Sequence, residues 1–329
     1  MTVPDASPDL PPARARALLA LLGRLPQGAL SRAFGRLADL PIPPRLRPAL
    51  IGGFARMMGI DAAAAEMPVA AYETINRFFV RRLRPGLRSW PADPALLASP
   101  VDGTLGQLGP VRVGRLLQAK GRWYAAAALL DDGIAAERYA GGSFVTIYLS
   151  PRHYHRIHAP CPGTIPKARY IPGALLPVNA PAIAHVPDLF PRNERLICYL
   201  DAGAAAAAAG AAGAAGKDAT PAEAARPATA GTLGRVAVVA VGAYNVGRIS
   251  AAFDPAWNAP GGWVSNRAAA RAEMHRYDPP TPIAPGAEIM AFHLGSTVVL
   301  LLEPGVILDP SLVPGRELRV GEVIARREV

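Results

Sequence analysis

The chain has 329 residues, 51% hydrophobic and 18% charged, with a mean hydropathy of +0.18, which excludes disorder throughout. Two cysteines exclude a disulfide framework, and no run of about eighteen strongly apolar residues marks a membrane-spanning helix. The net charge is +10, and residues 1–90 carry 13 arginines against six acids, or +7 of that total, so the N-terminal part points to an anionic partner, either a membrane surface or nucleic acid.

In chain order, MTVPDASPDL lacks a charged region followed by an apolar one, so no secretory signal is expected. Leu30, Ala33, Phe34 and Leu37 then fall at helical spacing. After the breaker Pro41-Ile42-Pro43-Pro44, a second stripe runs through Leu50, Ile51, Phe54, Met57 and Met58. A third carries Ile75, Phe78, Phe79 and Leu83 among four arginines. Apolar stripes flanked by arginine suit helices lying in a membrane interface, although most such stripes pack on the protein's own core.

From about residue 98 the texture is β. Ser143–Leu149, Val236–Val241 and Thr297–Leu302 are short β-branched apolar runs separated by glycine and proline. Residues 201–230 interrupt them with an alanine- and glycine-rich tract that cannot support a packed core, so a disordered surface insertion between two strands is expected. The expected fold class is α+β, with a helical, basic, membrane-associating region over 1–90 and a mostly-β catalytic domain over 91–329.

Three segments place reactive side chains beside tight backbone. Asp102 lies in the turn-like Ser99–Gly103. His153, His155 and His158 lie within Tyr148–Pro160, directly after a strand. Ser296 lies in Leu294–Thr297, directly before one. Aspartate, histidine and serine can make an activated hydroxyl nucleophile. Each segment has a plainer reading: Asp-Gly and Gly-Ser-Thr are common turns, and the histidines could hold zinc, although they lack an HExxH helix or a CxxC partner. Cys161 and Cys198 follow no metal-ligand spacing. Residue chemistry alone leaves a possible serine-type nucleophile, and spacing does not choose between His155 and His158 as its base.

In this order, these segments resemble the phosphatidylserine decarboxylase family of the bacterial membrane-associated type. Leu294–Thr297 matches its LGST motif, Tyr148–Pro160 its YLSPxxYHRxHxP motif, and Ser99–Gly103 its aspartate motif. Asn76–Arg88, Tyr170–Asn179 and Leu189–Leu200 add supporting matches, while Phe253–Tyr277 departs in detail. The resemblance implies a proenzyme that cuts itself between Gly295 and Ser296, giving a β chain of residues 1–295 and an α chain of residues 296–329. Ser296 would become a covalent pyruvoyl group, with no pyridoxal phosphate and no metal. Asp102, His158 and Ser296 would form the processing triad, and His155 would reprotonate the product. Decarboxylation of phosphatidylserine to phosphatidylethanolamine would proceed through a Schiff base.

The resemblance also implies a homodimer, phosphatidylserine in an anionic membrane as partner, no nucleic acid, and a peripheral location on the cytoplasmic face of the bacterial inner membrane. The catalytic domain would resemble a barrel-sandwich hybrid, with a hairpin-like turn in Gly315–Arg326. The basic helices with Phe54, Met57, Met58, Phe78 and Phe79 would offer a docking face; of these the helix over 50–58 is expected to dock on the membrane, while the third helix packs on the β domain. Two alternatives stay open: a pyruvoyl-dependent decarboxylase of another amino acid, or a non-processing serine hydrolase.

Overall fold

The computed structural model describes residues 27–203, 232–244, 248–258, 266, 270–293 and 296–328. Helices α1 (Gln27–Ala38), α2 (Arg47–Met58) and α3 (Ile75–Phe79) come first. The strands follow as β1 (Leu96–Ala98), β2 (Gly103–Pro110), β3 (Arg115–Ala119), β4 (Arg122–Ala125), β5 (Ser143–Tyr148), β6 (Arg156–His158), β7 (Gly163–Ile171) and β8 (Arg195–Ala202). After them come β9 (Arg235–Val241), β10 (Ile249–Ala251), β11 (Glu273–Ile283), β12 (Glu288–Phe292), β13 (Thr297–Leu302), β14 (Val306–Leu308), β15 (Glu317–Leu318) and β16 (Val323–Arg327). The fold is mixed, mostly sheet with few helices. No helix among the described residues is long and apolar enough to cross a membrane.

An eight-stranded antiparallel sheet in the order β11-β7-β8-β9-β13-β5-β2-β15 forms the centre. Every residue of β13 is buried and nearly every one of β8 and β9, so these strands read as continuous apolar runs rather than alternating ones. That pattern requires cover on both faces. The cover comes from the smaller sheets, whose Leu97, Ile289, Met290, Phe292 and Ile324 join the same core as the central strands. The β8–β9 connection holds the alanine-rich tract. Asp201 and Ala202, expected in that insertion, are instead the last residues of β8, where Asp201 pairs with Arg235; residues 204–231 lie outside the described residues. Strands β15 and β16 flank the turn expected in Gly315–Arg326 but do not pair with each other. β15 adds to β2, and β16 lies between β1 and β14.

The N-terminal helices differ from expectation in which faces they bury. Helix α2 stops at Gly59, whose left-handed φ of 68° lets its N–H reach the Ala55 and Arg56 carbonyls. Thr74 caps α3 through the Arg77 N–H at 3.0 Å, and α3 ends at Phe79, short of Leu83. Phe78 and Phe79, on the helix expected to pack inward, are fully buried, and Phe79 stacks on His155; on the helix expected to dock, Phe54 and Met58 instead pack on a small core built from Ile42, Ile51, Ala55, Ile60 and Tyr72. Of the five residues expected to offer a docking face, only Met57 is exposed, at 72%.

Helix α1 is inverted. It turns its small residues Ser31, Gly35 and Ala38 inward and leaves Leu30, Phe34 and Leu37 facing out. The inward face is small because a Cβ on Gly35 would lie 2.7 Å from the Arg248 guanidinium. Asp39, just past α1, accepts from Arg248 and from Asn76 Nδ2 at 2.7 Å, tying α1 to α3 and to the residue just before β10. Replacing Asp39 with Ala removes both bonds and is expected to lower stability by about 1–2 kcal/mol, read as a lower midpoint in urea unfolding. An unchanged midpoint would mean that α1 is held by other contacts.

Candidate active site

Two chain segments leave the large sheet together. β5 and β13 pair in the large sheet, while their continuations β6 and β12 pair in a small one. Residues 149–155, which leave β5, therefore face the end of β12 and Ser296, which leads into β13, where the sheets part. The Leu149 N–H donates to the Ser296 carbonyl at 2.7 Å, and the Phe292 N–H to the His155 carbonyl at 2.9 Å. Ser296 is 1% exposed, and its Oγ has no hydrogen-bond partner. Gly295 lies outside the described residues.

His155 is fully buried and stacks on Phe79 with ring centroids 4.0 Å apart; among the described residues neither ring nitrogen makes a well-formed hydrogen bond, although the Ser150 and Pro151 backbone lies close to the ring. Burial, reinforced by the nearby charges of Arg81 and His153, pushes its pKa down to about 3, so the ring is neutral at neutral pH. A buried serine hydroxyl and a buried neutral imidazole, both unbonded, thus sit in facing loops.

His158 is held differently. Its Nδ1 lies 2.6 Å from the Gly286 carbonyl, its Nε2 lies 2.9 Å from the Tyr154 hydroxyl, and Trp90 lies against the ring. A carbonyl only accepts, so Nδ1 carries the proton and Nε2 accepts from Tyr154. Burial lowers the pKa of His158 as well. Asp102 accepts from Arg88 at 2.8 Å and from the Val320 N–H at 2.7 Å, so it faces His158 through space rather than through a hydrogen bond.

His153 accepts from the Ser150 N–H at 2.9 Å and reaches Glu317 at 2.9 Å, which pins the histidine loop to β15. His153 and His158 have separate polar partners and His155 stacks on Phe79, and among the described residues no group of three or more His, Cys, Asp or Glu could hold a metal ion. Tyr154, Arg88 and Glu317 are the neighbours that sequence reasoning left without a role, and Phe79 is one it gave a different role. All lie inside quoted segments, but nothing in the sequence says what they touch.

A cavity of about 350 Å³ opens beside His158, with Tyr154 and Trp90 lining it and Arg82, Arg84 and Arg88 around it. The N-terminal region thus supplies walls of the site.

The family model for phosphatidylserine decarboxylase matches residues 75–326. The chain belongs to the phosphatidylserine decarboxylase family. It is 43% identical over 312 residues to the phosphatidylserine decarboxylase proenzyme of Anaeromyxobacter sp. (strain K), covering 93% of this chain and 97% of that one. Identity to the proenzyme of Myxococcus xanthus is 38% over 305 residues, covering 92% and 96%, and to that of Marinobacter nauticus 36% over 307 residues, covering 92% and 95%. These matches extend well before residue 75, so the helical region is shared with these relatives as well as the sheet domain.

The buried histidines make stability depend on pH. His155 and His293 both have pKa values pushed down to about 3 by burial, against about 6.5 in an unfolded chain. Between those values the unfolded state binds more protons, so stability is full above about pH 6.5 and falls as pH drops, by up to about 1.4 kcal/mol per pH unit for each histidine. Urea unfolding at pH 7 and pH 5 is expected to show this fall, with a smaller one in His155→Gln. Equal falls in both proteins would contradict the neutral, buried state of His155.

Proposed function

We propose that the chain is a decarboxylase proenzyme that cuts itself between Gly295 and Ser296 and acts on phosphatidylserine. The single observation that carries this reading is a buried Ser296 with an unbonded hydroxyl, set against the histidine loop in a chain of this family. Ser296 Oγ attacks the Gly295 carbonyl carbon, and the acyl group moves from nitrogen to oxygen. Loss of the Ser296 α-proton then expels the Gly295 carboxylate, and the dehydroalanine left behind hydrolyses with release of ammonia.

The residues fit a pyruvoyl group at position 296. The position is shut off from bulk water, and the side-chain oxygen that must leave is tied to nothing. Once formed, that group supplies a carbonyl that condenses with the substrate amine and takes up the electron pair left when carbon dioxide departs. No protein lysine is required.

His158 is the proposed base for Ser296, and Asp102 the anion that stabilises it as it takes the proton. For this, His158 Nε2 must release the Tyr154 hydroxyl. His155 is the proposed donor that reprotonates the product. A second reading gives the processing step to His155, and the observation favouring it is that both its ring nitrogens are unbonded. Ser296→Ala is expected to stay one chain with no decarboxylase activity; a cut chain in that variant would end the proposal. His158→Ala is expected to stay uncut, and His155→Ala to be cut but to turn over poorly. The opposite pattern selects the second reading.

The family substrate is a lipid, so the enzyme must reach a bilayer. We propose that it docks peripherally through α1, with the exposed Phe34 and Leu37, together with Leu40 and Met57. The exposed Arg36 and Arg56 belong to the same two helices and would favour an anionic surface. Phe34→Asp with Leu37→Asp is expected to abolish flotation with phosphatidylserine vesicles while self-cleavage continues. Undiminished flotation would move docking to another surface.

The domain division at residue 90, a homodimer and a cytoplasmic-face location are part of the same proposal. Besides docking, the N-terminal region belongs to the site itself, because Phe79, Arg88 and Trp90 touch the site residues.

A further inference from the structure

The cavity beside His158 has a feature that the processing chemistry does not use. Its outer part carries Arg82 and Arg84, on either side of Leu83. Leu83 bridges Ala65, the Glu66 N–H donates to the Arg82 carbonyl at 2.8 Å, and the Arg84 N–H donates to the Ala64 carbonyl at 3.0 Å. This extended backbone is therefore fixed, and residues two apart on an extended strand project to the same side. Both arginines are exposed. Arg84 has no ion-pair partner among the described residues. Arg82 stands 3.8 Å from Glu288, whose carboxylate is already gripped by Arg156 at 2.6 and 2.5 Å.

Two guanidinium groups on a fixed backbone at the mouth of a cavity form a receptor for a phosphate oxyanion. The cavity's size, about 350 Å³, suits a headgroup and leaves no room for two acyl chains. We propose that Arg82 and Arg84 bind the phosphodiester of the substrate headgroup at the cavity mouth, so that the serine part reaches inward past Tyr154 and His158 while the acyl chains stay in the lipid. This rests on the decarboxylase reading and adds to it the residues that recognise the headgroup anion.

The test uses the full-length, self-cleaved protein and dihexanoyl-phosphatidylserine below its micellar concentration, so that attraction to a charged membrane surface plays no part. Arg82→Gln with Arg84→Gln is expected to raise KM at least tenfold, with kcat within twofold of the unsubstituted protein and the two cut chains still visible on a gel. If the double variant is not cut, Arg84→Gln alone carries the test, because that side chain holds no other residue in place; a rise in KM of threefold or more is then expected. Inorganic phosphate, tested as a competitor, separates two forms of the site. Competition that disappears in the variant marks a general phosphate site, whereas a raised KM without competition marks one fitted to the lipid diester. An unchanged KM, or a loss confined to kcat, overturns the proposal. An unsubstituted protein that is neither cut nor active would instead overturn the decarboxylase reading itself.

Discussion

The structure depends on one constraint: two connections must cross between sheets at the same place. β5 and β13 are neighbours in the large sheet, β6 and β12 in the small one, and the backbone bonds Leu149–Ser296 and His155–Phe292 hold the crossing together. A backbone amide or carbonyl buried there without a partner would cost as much as a lost hydrogen bond, so the two loops can satisfy themselves only against each other. Ser296 and His155 lie in facing loops because the strands on both sides leave those loops no other course.

The same topology explains how the chain could survive being cut at that point. β13 starts immediately after Ser296 and pairs on one side with β5 and on the other with β9, while β15 and β16 pair with β2 and β1. A C-terminal fragment of 34 residues would thus supply a central strand of the large sheet and three further strands. Separating it would expose the apolar residues Val298–Leu302, all fully buried. His153 and Glu317 add a side-chain tie across the same boundary. The proposed cleavage therefore breaks one covalent bond inside a core that stays intact.

Much of this was legible in the residues. The three β-branched runs are strands at nearly the expected bounds, because continuous apolar sequence with flanking glycine and proline has few other uses. The reactive segments were legible as motifs, and the family followed from them. The faces that the first two helices bury were not legible. Phe54 and Met58 have the spacing of an interfacial stripe, yet a stripe reads the same whether it meets lipid or a small core. Helix α1 went the other way because Gly35 must approach Arg248 closely, which turns its small face inward, and that contact spans more than two hundred positions of sequence. The partners of Asp102 and His158 were hidden for the same reason: Val320 and Gly286 are distant in sequence and contribute only backbone atoms.

The central claim is that Ser296 is consumed to make the catalytic carbonyl. Intact-mass spectrometry of the purified, unsubstituted protein tests it directly. The account predicts two species, residues 1–295 with an ordinary carboxyl terminus and residues 296–329 lighter than an unmodified serine-started peptide by the mass of ammonia. A single species of 329 residues, or a C-terminal fragment that still begins with serine, would contradict it.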